Sequence, residues 1–188
     1  MIGSASRPPP PARLLPLRQL PPYSYVSGRF PHPNRDPRGH SYAEPAPQVG
    51  KVRPEEWRQC ETYLWGIDLF NYGYYWESHE AWEAVWHASG RRGTVADFCK
   101  LLIKFAAAGV KAREGRPEGV KRHALRAKQL LDSIAAQVGS GQQQFMGLSL
   151  PDLAKYAERL IANPAGIINT SNERVVIVMP FALEVSRV

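Results

Sequence analysis

The chain is poor in the features that mark several common functional classes. It has two cysteines in 188 residues, Cys60 and Cys99. Both sit inside apolar helical patterns without metal-ligand spacing, so a disulfide scaffold and a structural zinc site are excluded, and the thiols are expected to pack as small hydrophobes. No apolar run approaches the roughly 18 residues that a membrane span needs. The N-terminal apolar stretch is too short and too broken by Pro8–Pro11 to serve as a secretory core. A soluble protein in the cytoplasm is the expectation. Also missing are a Gly-rich phosphate loop, a Gly-x-Ser-x-Gly elbow and a Cys-x-x-Cys pair, which removes support for nucleotide-binding and serine-hydrolase readings.

Proline is scarce only after residue 50, because 12 of the 17 prolines precede it. That first segment is therefore not helical. Residues 1–22 are Pro/Arg/Leu low complexity and are predicted to be a disordered lead. Residues 23–53 are predicted to be an extended arm docked on the domain, because Tyr23, Tyr25, Phe30 and Tyr42 are interleaved there with Pro31-His32-Pro33 and Gly39-His40. The helical domain is assigned to 54–163 and an extended tail to 164–188.

What remains reads as an all-α single domain, a bundle of about five helices. Pro54, Glu55 and Glu56 suit the first turn of helix one, which Gly73 ends. Helix two spans about 74–88. Helix three opens on Thr94 as N-cap with Asp97 three residues on and runs to Gly115, and its Ala106-Ala107-Ala108-Gly109 run permits close helix approach. Helix four runs from Pro117 to Val138, a polar loop follows over 139–144, and helix five lies between Ser149-Pro151 and Asn163-Pro164. The Val/Ile-rich row from Arg174 to Val185 is strand-like but interrupted by Pro180. It has to bury as an extended tail, pair with the arm or pair across a homodimer, the expected oligomer.

The net charge of +7 is unevenly placed. Residues 51–93 are acidic and residues 94–138 are basic. Lys111, Arg113, Lys121, Arg122 and Lys128 would be the contacts for a polyanion, but bases spaced along helices read as solvated faces, and nucleic acid is not the expected partner.

Helix two carries the most informative pattern, His79-Glu80-x-x-Glu83. One turn apart on a face with Tyr75, Trp82 and Trp86, His79 and Glu83 are expected to interact directly in apolar surroundings, with Glu80 at the border and Glu77 almost opposite. Three readings stay open. His79, Glu83 and Glu80 form a metal site, with a divalent ion as the cofactor to test. Glu80 or Glu83 acts as a catalytic base beside His79. Or the group is a structural polar network or subunit contact. The zincin mechanism does not transfer, because Glu83 stands where that motif has its second His. Asn71, Trp82 and Trp86 are assigned as site-lining, Lys104 is a possible counter-charge to Glu80 or Glu83, and His32 or His40 could complete a site if the arm folds over helix two. The residues favour a structural or interaction module, with a metal-dependent hydrolase-like enzyme as the alternative.

The stretch Phe70-Asn71-Tyr72-Gly73 followed by His79-Glu80-Ala81-Trp82-Glu83-Ala84-Val85-Trp86 resembles the signature of the domain-of-unknown-function family 309, Phe-Asn-x-Gly with His-Glu-x-x-Glu-x-x-Trp. The resemblance extends over about 56–162. It implies a small all-α bundle and points to Asn71, His79, Glu80, Glu83 and Trp86 without naming a reaction. Where that family has Gln-Gly-Leu-Ile-Gln, this chain has Lys100-Leu101-Leu102-Ile103-Lys104.

Overall fold

In a computed structural model, residues 9–139 and 141–186 are described. They form a mostly helical bundle with one two-stranded hairpin. Pro54–Gln59 makes a 3-10 turn, and the α-helix begins only at Glu61, giving α1 Glu61–Asn71. The break at Cys60 corrects the expectation of one helix from Pro54. Trp57 needs it, since the indole turns into the core beneath Gly147, where any added Cβ would collide with the ring. The next helices are α2 Tyr75–Ala88, α3 Thr94–Arg113, α4 Pro117–Val138 and α5 Leu150–Ala162. Each packs on its neighbour in sequence.

The ends follow local chemistry. Ser149 caps α5 by accepting from the Asp152 N–H, and Pro117 occupies the first turn of α4. Thr94 is not a cap. Gly93 holds that position at φ 84°, and the Thr94 hydroxyl donates to Gln137 Oε1 at 2.7 Å instead. Part of the expected polar loop is a short hairpin, β1 Gln144–Phe145 against β2 Leu148–Ser149. Its turn places Met146 and Gly147 at positive φ.

The core lies between α2, α3 and α4, around Tyr75, Trp82, Phe98, Phe105 and Ile134. Gly109 of α3 sits directly on the Tyr75 ring, so the small-residue run does admit a close approach. Gly66 of α1 does the same for Trp82, whose indole N–H donates to the Tyr63 carbonyl at 3.2 Å.

Both flanking segments lie on the bundle as straps. Residues 1–8 of the Pro/Arg-rich lead fall outside the described residues. Residues 9–22, expected to be disordered, instead run along α1, where the Leu14 and Leu15 amides both donate to the Asp68 carboxylate at 2.8 Å. Arg18 stacks over Trp65 at 4.5 Å. At the other end, the tail makes no strand ladder among the described residues. Val175 to Val178 are half-buried, and Met179, Phe181 and Leu183 rather than the Val/Ile row enter the core. Phe181 stacks on Tyr156 at 3.9 Å.

Buried polar groups on the helices fasten this tail. The Asn71 carboxamide donates to the Leu183 carbonyl at 2.9 Å and accepts from its N–H at 2.7 Å. Tyr75 Oη accepts from the Val178 and Met179 amides at 2.8 and 3.0 Å. Arg113, 3% exposed, donates to the carbonyls of Asn169, Ser171 and Glu173.

Candidate functional site

α2 is buried along the line Tyr75, Ser78, Trp82 and Val85, against α1 and α3. His79, Glu80 and Glu83 lie beside that line and are half-exposed, with side-chain exposures of 30% for His79 and 39% for Glu80. One ligand atom from each of the three lies within 4.8 Å of the others. His79 Nδ1 is shielded from solvent and lies 3.4 Å from Glu80 Oε1, without a well-directed hydrogen bond. The expected direct His79–Glu83 pair in apolar surroundings is therefore corrected: the nearest carboxylate to the imidazole is Glu80, and Glu83 keeps contact with water. Trp76, Trp82 and Trp86 do not enclose Glu83, because they leave the helix in different directions. Trp82 is fully buried, Trp76 stacks edge-on against Tyr25 and His32 of the arm, and Trp86 lies under Arg91 and Lys100.

Asn71 spends its carboxamide on the Leu183 backbone of the tail, not on the triad. Lys104 on α3 makes no ion pair with Glu80 or Glu83 within 4.0 Å, although Glu83 partly offsets the downward push that burial, Lys100 and Arg126 exert on its pKa. His87 is exposed and accepts from Arg91 Nε at 2.9 Å. Burial pushes the Cys99 thiol up to about 12, so it is an inert core group.

The arm does fold over α2, but on the opposite side. His40 Nε2 lies 3.1 Å from Glu77 Oε1, Ser24 Oγ donates to Glu77 Oε2 at 3.0 Å, and the Tyr25 N–H donates to Oε1 at 2.8 Å. Glu77, expected almost opposite the His79 face, is the buried carboxylate of this helix. A helical wheel cannot see a second covering layer; the signal available was the aromatic density of 23–42.

Beyond α3, α4 turns a basic face outward. A groove of about 650 Å³ is lined by Lys104 from α3 and by Lys121, Arg122, His123 and Arg126 from α4. His123 is held down at about 4, first by burial and then by Lys104 and Arg122, with His79 adding to the effect from α2. The five bases weighed as polyanion contacts do not share this face. Arg113 is buried under the tail, Lys111 pairs with Glu114 at 2.6 Å and Lys128 with Glu158 at 3.1 Å, which leaves Lys121 and Arg122.

No helix among the described residues is long and apolar enough to cross a membrane. No curated protein and no solved structure matches the chain. A family model does match, over residues 63–123, a shorter stretch than the 56–162 of the resemblance. That segment runs from α1 through α2 and α3 into the first turns of α4, and so includes the triad and the start of the groove. Over these residues the chain is similar to the family described as Domain of unknown function (DUF309).

Proposed function

We propose that the protein is a helical binding module whose α2 surface holds a divalent cation through His79, Glu80 and Glu83. The observation that carries the reading is the convergence of one imidazole nitrogen and two carboxylate oxygens within 4.8 Å. Metal bonds of about 2.0–2.2 Å set the ligand atoms of one ion about 3–4.4 Å apart. These side chains are half-exposed, so rotamer changes would be what closes the set to that spacing. A mixed nitrogen and oxygen donor set suits Zn²⁺ or Mn²⁺ better than Ca²⁺. The shielded Nδ1 of His79, lacking a good hydrogen-bond partner, is the kind of atom a cation would satisfy.

Open helix surface around His79 and Glu80 supports binding rather than the hydrolase-like alternative, which calls for a site that excludes water. Three ligands from one helix leave coordination positions free for water or for a group on a partner.

The test is calorimetric titration of Zn²⁺ and Mn²⁺ into protein purified without a His tag or added metal. One site per chain is expected. Affinity should fall by about tenfold or more in His79→Ala and Glu83→Gln, and less in Glu80→Gln, as loss of a ligand predicts. Stoichiometric binding retained in the His79→Ala/Glu83→Ala double variant would remove the assignment.

A further inference from the structure

The groove on α4 gathers positive charge that the fold does not neutralise. Among the described residues, none of Lys104, Lys121, Arg122 and Arg126 has a carboxylate within ion-pair distance, whereas Lys111, Arg116 and Lys128 on the same helices or beside them do. Among the described residues, Arg126 donates to Gln129, a neutral amide of the groove lining. Glu118 is the one acidic side chain in the lining. Like charges one turn apart on a helix are unfavourable on their own. Lys104 is half-buried here among those bases. The volume of about 650 Å³ lies inside the range of small-molecule sites.

We propose that this groove binds a small polyphosphorylated ligand, of the di- or triphosphate kind, and does so independently of any cation on α2. Four cations against one carboxylate match the three to four negative charges of such a group, at roughly one cation per charge. The two guanidinium forks of Arg122 and Arg126 suit the paired oxygens of a phosphate, and the lysines follow as point charges. His123, neutral at pH 7, adds a ring nitrogen without adding charge. A nucleic-acid polymer fits less well, because it needs a continuous positive track. Here the track stops at the Lys128–Glu158 and Lys111–Glu114 pairs, and Glu83 of α2 bears on Lys104 from the other side.

The experiment is titration of inorganic triphosphate into the full chain, at low salt and with EDTA present. Saturable one-to-one binding is expected. It should weaken by about tenfold or more in Lys121→Glu/Arg122→Glu, whose side chains are exposed and whose fold circular dichroism would check, and also in Lys104→Gln/Arg126→Gln. Lys128→Glu, on the same helix but outside the groove, should change affinity by less than about twofold. No binding, or equal binding by both groove variants, would overturn the proposal. Citrate binding as tightly would overturn the choice of phosphate. Tighter binding of single-stranded DNA of about 20 nucleotides, growing with length, would replace it with a nucleic-acid surface. Binding that appears only when Mn²⁺ replaces EDTA would move the ligand to α2 and also overturn it.

Discussion

Glu77 and Glu83 lie six residues apart on α2 and meet opposite surroundings. Glu77 is 7% exposed and serves three groups of the arm, while Glu83 stays in contact with solvent. Glu77→Ala is therefore expected to cost about 3–5 kcal/mol, since it strands Ser24, Tyr25 and His40 without their shared acceptor. His79→Ala and Glu83→Ala should each stay within about 1 kcal/mol. Urea melts measure both, and a Glu77→Gln/His40→Ala cycle should show coupling above about 0.5 kcal/mol. A second residue-scale test uses His123, held at about 4 when folded against about 6.5 unfolded. Between these values the unfolded chain binds a proton that the folded chain refuses. The stability present at pH 7 is therefore lost as pH falls from about 6.5 towards 4. Solvent at this partly open site limits the loss to about 1–2 kcal/mol. Comparing melts at pH 7 and pH 5, His123→Gln should show a shallower fall than wild type.

At the scale of elements, α4 was legible in the sequence to the residue, because Pro117 opens it, Gly139 closes it and one face is apolar throughout. α1 and the hairpin were not. A 3-10 turn and an α-helix share the proline and acidic start signals, and only the packing of Trp57 under Gly147 separates them. The tail's Val/Ile content is strand-like, yet its backbone groups at Val178, Met179 and Leu183 are met by side chains of α1 and α2, and the Arg174 carbonyl by the Ser24 N–H of the arm. Asn71→Ala should leave the Leu183 N–H and C=O without partners, costing about 2–4 kcal/mol. Amide exchange at Leu183 should quicken more than exchange in α4, and equal quickening in both would mean that the tail does not loosen separately.

For the whole molecule, the family-like segment is only the centre of the structure, and the two straps complete its core. Their attachment was the least legible part of the chain. The amides that meet Asp68 and the carbonyls that meet Arg113 belong to backbone, which carries no residue-type signal. The buried Asp68, Glu77 and Arg113 look like ordinary surface charges when read in sequence. Truncation to Tyr23 should expose Trp65 and leave Asp68 without the Leu14 and Leu15 amides. A fall in Tm of about 5–10 °C is expected by calorimetry. An unchanged Tm would mean that residues 9–22 contribute nothing to the fold.

The tail contacts also set a timetable for biosynthesis. Asn71 and Tyr75 are translated more than a hundred residues before Leu183, Val178 and Met179, their hydrogen-bond partners. At about 5–20 residues per second, the α1–α2 corner waits about 5–20 seconds on the ribosome before its contacts with the tail can form. During that interval Phe70 and Phe105 lack the Phe181 ring that covers them in the finished fold. Nascent chains stalled after Ile168 should accordingly recruit holdase chaperones, and chains stalled far enough beyond Val185 to free the tail should release them.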